Sequence, residues 1–121
     1  MDTNSTERCA VLTKSVLRAS RVLGLTDAGL ASALGIAVAD LAHLVQGTRT
    51  LDPETIEGRR ALQLVQICIA LDCLVGGEPS LIQAWMQSNN ESLGAIPLRL
   101  IQTSEGLAAT LAYLEQTRGS G

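Results

Sequence analysis

Aromatic residues are nearly absent from this chain of 121 residues, which contains one Trp, one Tyr and no Phe. Hydrophobic residues nevertheless make up 46% of the composition, so the core must consist of Leu, Val, Ile and Ala, which favours packed helices. Polar and apolar residues hardly ever alternate, and no Asn-Gly or Asp-Gly hairpin turn occurs, so strands are not expected. The length fits one compact domain or two small modules that share a core. An all-α fold is predicted.

Residues that commonly carry catalysis or bind metals are also scarce. His43 is the single histidine, no C-x-x-C pair occurs, and the chain has neither a Gly-rich phosphate loop nor paired carboxylates. Because a structural zinc site needs about four Cys or His ligands, no metal site is expected. The same scarcity argues against an enzyme, and no cofactor is expected.

Cysteine usage and the first residues indicate the compartment. The three cysteines are odd in number, and Cys68 and Cys73 fall within an apolar stretch, which is typical of free thiols under reducing conditions. The opening residues, MDTNSTER, are polar and carry none of the apolar character of a signal peptide. A cytoplasmic protein without a membrane segment is therefore expected.

The net charge of −3 is unevenly divided between the two halves of the chain. Residues 1–60 contain seven basic and seven acidic side chains, whereas residues 61–121 contain two basic and five acidic ones. Since cations attract the phosphate backbone, any contact with nucleic acid is expected in the N-terminal half.

The most apolar stretch is ALQLVQICIALDCLV at residues 61–75. Its apolar residues form two stripes at helical spacing, so most of its circumference must be covered. It is shorter than the roughly 18–20 apolar residues that cross a bilayer, which favours a central helix of a soluble protein. Asp52 as a cap and Pro53 in the first turn predict a start at residue 53, and Gly76-Gly77 predicts an end at residue 75. A chain this small covers such a helix most readily by pairing with a second copy, so a homodimer is expected.

Start and stop signals predict six further helices. They lie at residues 6–23, 27–34, 38–45, 79–88, 97–101 and from 103 or 104 to 118. Residues 1–52 then form an N-terminal module, and residues 53–121 combine the central helix with a small C-terminal helical module. Residues 115–121 are expected to be a polar, flexible tail.

Residues 26–47, TDAGLASALGIAVADLAHLVQG, have the pattern of two short helices separated by a glycine. Ala31 lies where the helices would cross closely, and Gly35 permits the unusual backbone of the turn. Any helical bundle uses Leu, Ala and Gly in a similar way, but the whole string resembles the helix-turn-helix of Xre/Cro-type repressors. That resemblance implies a DNA-binding module whose second helix lies in the major groove.

The positions of this module that would contact bases carry few polar or basic side chains. Ala37 stands where the family usually has a capping Ser, and Asp40 would face the phosphates. His43 and Gln46 offer the best base contacts, although a single His on a helix is also commonly a solvated surface residue. The sequence leaves open whether operator binding is retained, weak, lost or dependent on a larger assembly. The candidate DNA contacts are Arg18, Arg21, Ala39, His43, Gln46 and Arg49, with Arg59 and Arg60 as further phosphate contacts.

Residues 61–118 carry a second resemblance. After the apolar helix and a Gly-rich break come Ala84-Trp85-Met86, Ser88-Asn89-Asn90, the segment IPLRLIQT at 96–103, and LAYL at 111–114. This order looks like the toxin-binding domain of the MbcA/ParS/Xre antitoxins, in which Trp-x-x-x-x-Asn precedes Pro-Leu-x-Leu-Leu-x-Thr-x-x-Gly. The family prefers Pro after the first Asn, where this chain has Asn90. The resemblance implies an antitoxin that neutralises a RES-domain, NAD-consuming toxin and commonly represses its own operon.

Candidate toxin contacts are polar groups on apolar supports near the end of the chain. They are Arg99, Gly106, Tyr113, Gln116 and Arg118, with Gly106 expected to permit a close approach of another backbone or of a partner. Trp85 is expected to pack half-buried against the central helix. The alternative to an antitoxin is a stand-alone dimeric helix-turn-helix transcriptional regulator, whose C-terminal half only dimerises.

Overall fold

The computed structural model describes the backbone of residues 3–120 and the side chains of residues 5–118. This part of the chain is mostly helical and contains no strand. Its helices are α1 (Thr3–Leu23), α2 (Asp27–Leu34), α3 (Val38–Gln46), α4 (Ile56–Leu74), α5 (Pro79–Gln87), α6 (Pro97–Leu100) and α7 (Ser104–Ser120). The predicted all-α fold is confirmed.

Helix α4 is the central element, because α1 and α7 both pack along it and α2 and α5 also contact it. Leu64, Ile67 and Leu71 are fully buried, as expected for the first apolar stripe. The second stripe is only partly covered, since Leu62 is 43% and Ile69 is 52% exposed. One side of the central helix therefore remains uncovered by the described part of this chain.

The start of α4 differs from the prediction. Thr55 caps the helix by accepting a hydrogen bond from the Gly58 backbone N–H at 3.0 Å, whereas the Asp52 carboxylate accepts one from the Glu54 N–H at 2.9 Å. Asp52 and Pro53 thus form a turn that precedes the helix. Both Asp52 and Thr55 have capping chemistry, and the three-dimensional path of the turn selects the second.

The last helix, predicted to end at residue 118, ends at Ser120, so the predicted flexibility of the tail is wrong for residues 115–120. Glu115 and Gln116 have good helix propensity, and no proline interrupts the run that follows. Gly121 lies outside the described residues. Thr103 caps α7 by accepting a hydrogen bond from the Gly106 N–H at 3.0 Å, which agrees with the predicted start.

The buried apolar residues of both halves belong to one hydrophobic cluster, which extends from Leu12 on α1 to Leu114 on α7. A hydrogen bond of 3.0 Å from the Ser32 hydroxyl to the Gln102 carbonyl also ties α2 to the turn before α7. No single helix within residues 3–120 is long and apolar enough to cross a membrane. Two pairs of successive helices, α2 with α3 and α4 with α5, meet the length and composition criteria when each pair is taken together, but both pairs are sharply bent.

Candidate functional site

The α2–α3 unit is built by local capping interactions. The Gly29 N–H donates to the Thr26 hydroxyl at 3.0 Å, and Gly35 ends α2 with a φ of 77°. Helix α3 follows after a short turn, and its first residue is preceded by Ala37, which makes no side-chain capping bond. The chain bends by 102° between the two helices, which lies within the range of about 90–120° found in helix-turn-helix units.

The outer face of α3 carries few polar groups. Ala39, Ala42, His43 and Gln46 are exposed there, and the ring Nδ1 of His43 lies 3.2 Å from the Thr48 hydroxyl. The exposed face thus includes Ala39, His43 and Gln46, the candidate base contacts.

Arg49 makes two intramolecular ion pairs. Its guanidinium lies 3.3 Å from an Asp40 carboxylate oxygen and 3.4 Å from a Glu57 carboxylate oxygen. The cation therefore links α3 to the start of α4 and compensates the charge of Asp40, which the sequence alone would leave facing DNA. Arg49, a predicted DNA contact, thus has two carboxylate partners within the chain.

Arg18 lies away from α3. It lines a groove between α1 and α4 together with Cys68 and Asp72. Asp72 is fifteen residues beyond Glu57 on α4, which corresponds to a rise of about 22 Å. Since Arg49 pairs with Glu57 at the opposite end of α4, Arg18 and Arg49 do not form one basic surface. Arg21 is exposed on α1.

The surroundings of Cys68 do not activate its thiol. Burial raises the pKa of the Cys68 thiol, and the negative charge of Asp72 raises it further. The thiol therefore stays protonated at neutral pH, whereas a nucleophilic cysteine needs a lowered pKa. Within residues 3–120, no three His, Cys, Asp or Glu side chains lie close enough to hold a metal ion.

Trp85 and Tyr113 form the aromatic pair of the C-terminal half. Their ring centroids are 6.4 Å apart with an interplanar angle of 22°, and both side chains are half-buried. Trp85 is thus half-buried as predicted, but it stacks on α7, which the sequence did not indicate. The stack holds the Tyr113 ring in place at the surface.

Tyr113 lies at the edge of a shallow depression between α7 and the loop after α5. The depression is lined by Ser92, Leu93, Ala109, Ala112, Tyr113, Glu115 and Gln116. Of the five predicted toxin contacts, the structure brings Tyr113 and Gln116 together here. Sequence reasoning missed Ala109 and Ala112, although their spacing with Tyr113 and Gln116 places all four on one face of a helix.

The loop that supplies Leu93 is fixed by Asn90. The Asn90 backbone pairs with Ala95, and its side-chain oxygen accepts a hydrogen bond from the Leu93 N–H at 3.1 Å. The Gly94 N–H also donates to the Asn90 carbonyl at 2.7 Å. Asn90, which stands where the family prefers Pro, thus binds the backbone of its own loop and positions one wall of the depression.

The other predicted toxin contacts lie elsewhere. Gly106 is buried, and a Cβ there would overlap the carbonyl group of Leu100, so the predicted close approach of a backbone occurs within the chain. Arg99 is exposed on α6. Arg118 is exposed on α7, five residues beyond Tyr113 and therefore on a different face of the helix.

The model of the antitoxin Xre/MbcA/ParS C-terminal toxin-binding domain matches residues 70–119. The match runs from the end of α4 through α7 and includes the depression, the aromatic stack and the Asn90 loop. No curated protein matches the chain significantly.

Proposed function

We propose, from the membership of residues 70–119 in the antitoxin Xre/MbcA/ParS C-terminal toxin-binding domain family, that the chain is the antitoxin of a type II toxin–antitoxin pair. Its partner is a RES-domain toxin that consumes NAD, as the family resemblance implies. The protein acts by binding and not as an enzyme, and it works in the cytoplasm, where its free cysteines stay reduced.

The carrying observation is the depression beside Tyr113. The small side chains of Ala109 and Ala112 form its floor and leave room for a partner, and the Tyr113 ring at its edge stacks on Trp85. A rigid aromatic group at the edge of a small apolar recess is typical of an interface anchor, because little entropy is lost on binding. Gln116 adds a polar group beside it, whereas Arg99 and Arg118 lie outside the depression and would be separate contacts.

The charge of this half supports the same partner. Residues 61–121 have an acidic excess, and a cleft built for an anionic dinucleotide is expected to be basic. Glu115, which lines the depression, would face such a cleft directly.

Ala112→Arg tests the toxin interface, because it fills the depression without removing a core residue. We expect toxin affinity to fall at least about tenfold and protection of toxin-expressing cells to be lost, since a large cation replaces a recess. Ala42→Arg is the matched control, because Ala42 is equally an exposed helical alanine but lies on α3. Equal protection by both variants, with unchanged circular dichroism, would contradict the interface.

We also propose that residues 1–52 form an Xre-like helix-turn-helix that represses the antitoxin's own operon as a homodimer. The bend of 102° between α2 and α3 and the exposure of His43 and Gln46 support this assignment. Binding to the upstream region is expected to be modest and strongly salt-dependent, because few polar groups on α3 reach bases and the remaining contacts go to phosphates.

Gel shifts with the operon's upstream DNA test the repressor assignment. His43→Ala together with Gln46→Ala is expected to reduce specific affinity about tenfold and to leave non-specific binding nearly unchanged. Unaltered specific binding would contradict the role of α3. A stand-alone regulator would bind the same DNA but would neither bind a toxin nor respond to Ala112→Arg.

A further inference from the structure

A continuous groove runs along the uncovered side of α1 and α4. It consists of two adjoining depressions that share Val11, Ser15 and Val65, and we call it the α1–α4 groove. One end is lined by Glu7, Arg8 and Leu62, and the other by Arg18, Ile69 and Asp72.

The walls of this groove are apolar and exposed. Val11 is 63%, Leu62 is 43% and Ile69 is 52% exposed, although all three lie on regular helices whose opposite faces are buried. A monomer gains nothing from three large aliphatic side chains aligned in water.

Charged residues follow an ordered pattern along the groove. Glu7, Val11, Lys14 and Arg18 recur on α1 at intervals of four, three and four residues, so they form one stripe. Along this stripe the sign changes from negative at Glu7 to positive at Lys14 and Arg18, while Arg8 also lines the Glu7 end and Asp72 the Arg18 end of the groove. Glu7 and Arg18 are about 16 Å apart along the helix axis, so one chain cannot pair them with each other.

We propose that the α1–α4 groove binds the groove of a second copy of this chain, with the two α1 helices antiparallel. This proposal rests on the homodimer of the proposed function and assigns its interface. A two-fold axis that crosses α1 midway between Glu7 and Arg18, level with Leu12 and Thr13, and α4 near Val65 brings Glu7 of each copy opposite Arg18 of the other at both ends of the interface. The exposed Val11, Leu62 and Ile69 of the two copies then cover one another.

This arrangement also separates the DNA-reading helices. The start of α4, which Arg49 links to α3, lies at the Glu7 end of the groove. In an antiparallel pair these ends point away from each other, so the two α3 helices lie at opposite ends of the dimer. Separated recognition helices are what a pair of half-sites requires.

Sedimentation equilibrium of the full chain without toxin tests the interface. Ile69→Glu is expected to weaken dimerisation at least about 100-fold, because it buries a charge among the apolar side chains of the contact. Leu81→Glu is the matched control, since Leu81 is a 49% exposed aliphatic residue on α5, outside the groove, and should leave the dimer unchanged. A dimer that resists Ile69→Glu, or a wild-type monomer at micromolar concentration, would overturn the proposal.

A charge-reversal pair tests the antiparallel orientation. Glu7→Arg and Arg18→Glu are each expected to weaken the dimer about three- to tenfold through like-charge contacts, and the double variant should restore it. Absence of rescue would exclude this orientation. Toxin binding measured on the same variants separates this proposal from the proposed function. An Ile69→Glu chain that remains dimeric but no longer binds the toxin would assign the groove to the toxin. If Ala112→Arg leaves toxin binding unchanged, that result contradicts only the proposed toxin interface.

Discussion

At the scale of single residues, a Thr-x-x-Gly sequence recurs at the starts of three helices. Thr26, Thr55 and Thr103 each accept a hydrogen bond from the backbone N–H of the glycine three positions later, at 3.0 Å in every case. The threonine satisfies a free N–H of the first turn, and at Gly58 and Gly106 the absent Cβ lets the preceding backbone fold back against that turn. The glycine at the predicted toxin-binding position, Gly106, is therefore explained by its own chain.

Gly106→Ala tests this packing role. A helical Gly→Ala change ordinarily stabilises by about 0.5–1 kcal/mol, but here the added Cβ would overlap the Leu100 carbonyl. We expect the free energy of unfolding to fall by about 1–3 kcal/mol in urea titrations followed by circular dichroism.

Gly29→Ala provides the matched control for that experiment. It occupies the same place in the motif, but its nearest neighbours are side-chain atoms of Leu25 and Thr26 at 3.1 and 3.3 Å, which can shift. It should cost clearly less than Gly106→Ala, and equal losses would show that the backbone contact at Leu100 is not the cause.

At the scale of elements, periodicity and capping residues locate the helices but do not decide between neighbouring signals. Asp52 and Thr55 offer the same capping chemistry, and the close approach of the Asp52 carbonyl to Gly58, a contact within a folded turn, selects Thr55. Likewise, the polar residues from Glu115 onward predict a flexible tail, whereas α7 continues to Ser120 in the structure. The depression beside Tyr113 could not be predicted from local pattern, because α5 and the Asn90 loop reach α7 only through tertiary packing.

The link between α3 and α4 makes a prediction about DNA binding. Arg49→Ala is expected to weaken operator binding about three- to tenfold, because Asp40 then presents an uncompensated charge to the phosphates. Adding Asp40→Asn should restore most of that affinity in gel shifts over a range of salt concentrations. Glu57→Gln serves as the control, since it leaves the Arg49–Asp40 pair in place. If the double variant binds no better than Arg49→Ala, Arg49 itself contacts phosphate.

At the scale of the whole molecule, the proposed DNA-binding and toxin-binding parts share one interior. Helix α4 packs against α1 on one side and α7 on the other, and the buried residues of both parts belong to a single cluster. The division at residue 52 is therefore a proposed division of function across a common core. A fragment that begins near residue 50 would expose the face of α4 that α1 covers, so full-length point variants are the better probes.

Leu34→Ala tests whether the two parts unfold together. Leu34 lies on α2 and is 1% exposed, so its truncation is expected to cost about 2–5 kcal/mol. Trp85 is the single tryptophan, lies on α5 and stacks on Tyr113 of α7, so its fluorescence reports on packing within the toxin-binding part. Because the core is shared, the fluorescence midpoint in urea should fall together with the midpoint measured by circular dichroism.

Val45→Ala, at a 57% exposed position on α3, is the control and should change the free energy of unfolding from either signal by no more than about 0.5 kcal/mol. If Leu34→Ala leaves the Trp85 transition in place, the two parts fold independently. If the transition shifts, damage to α2 also lowers the population of antitoxin able to bind its toxin.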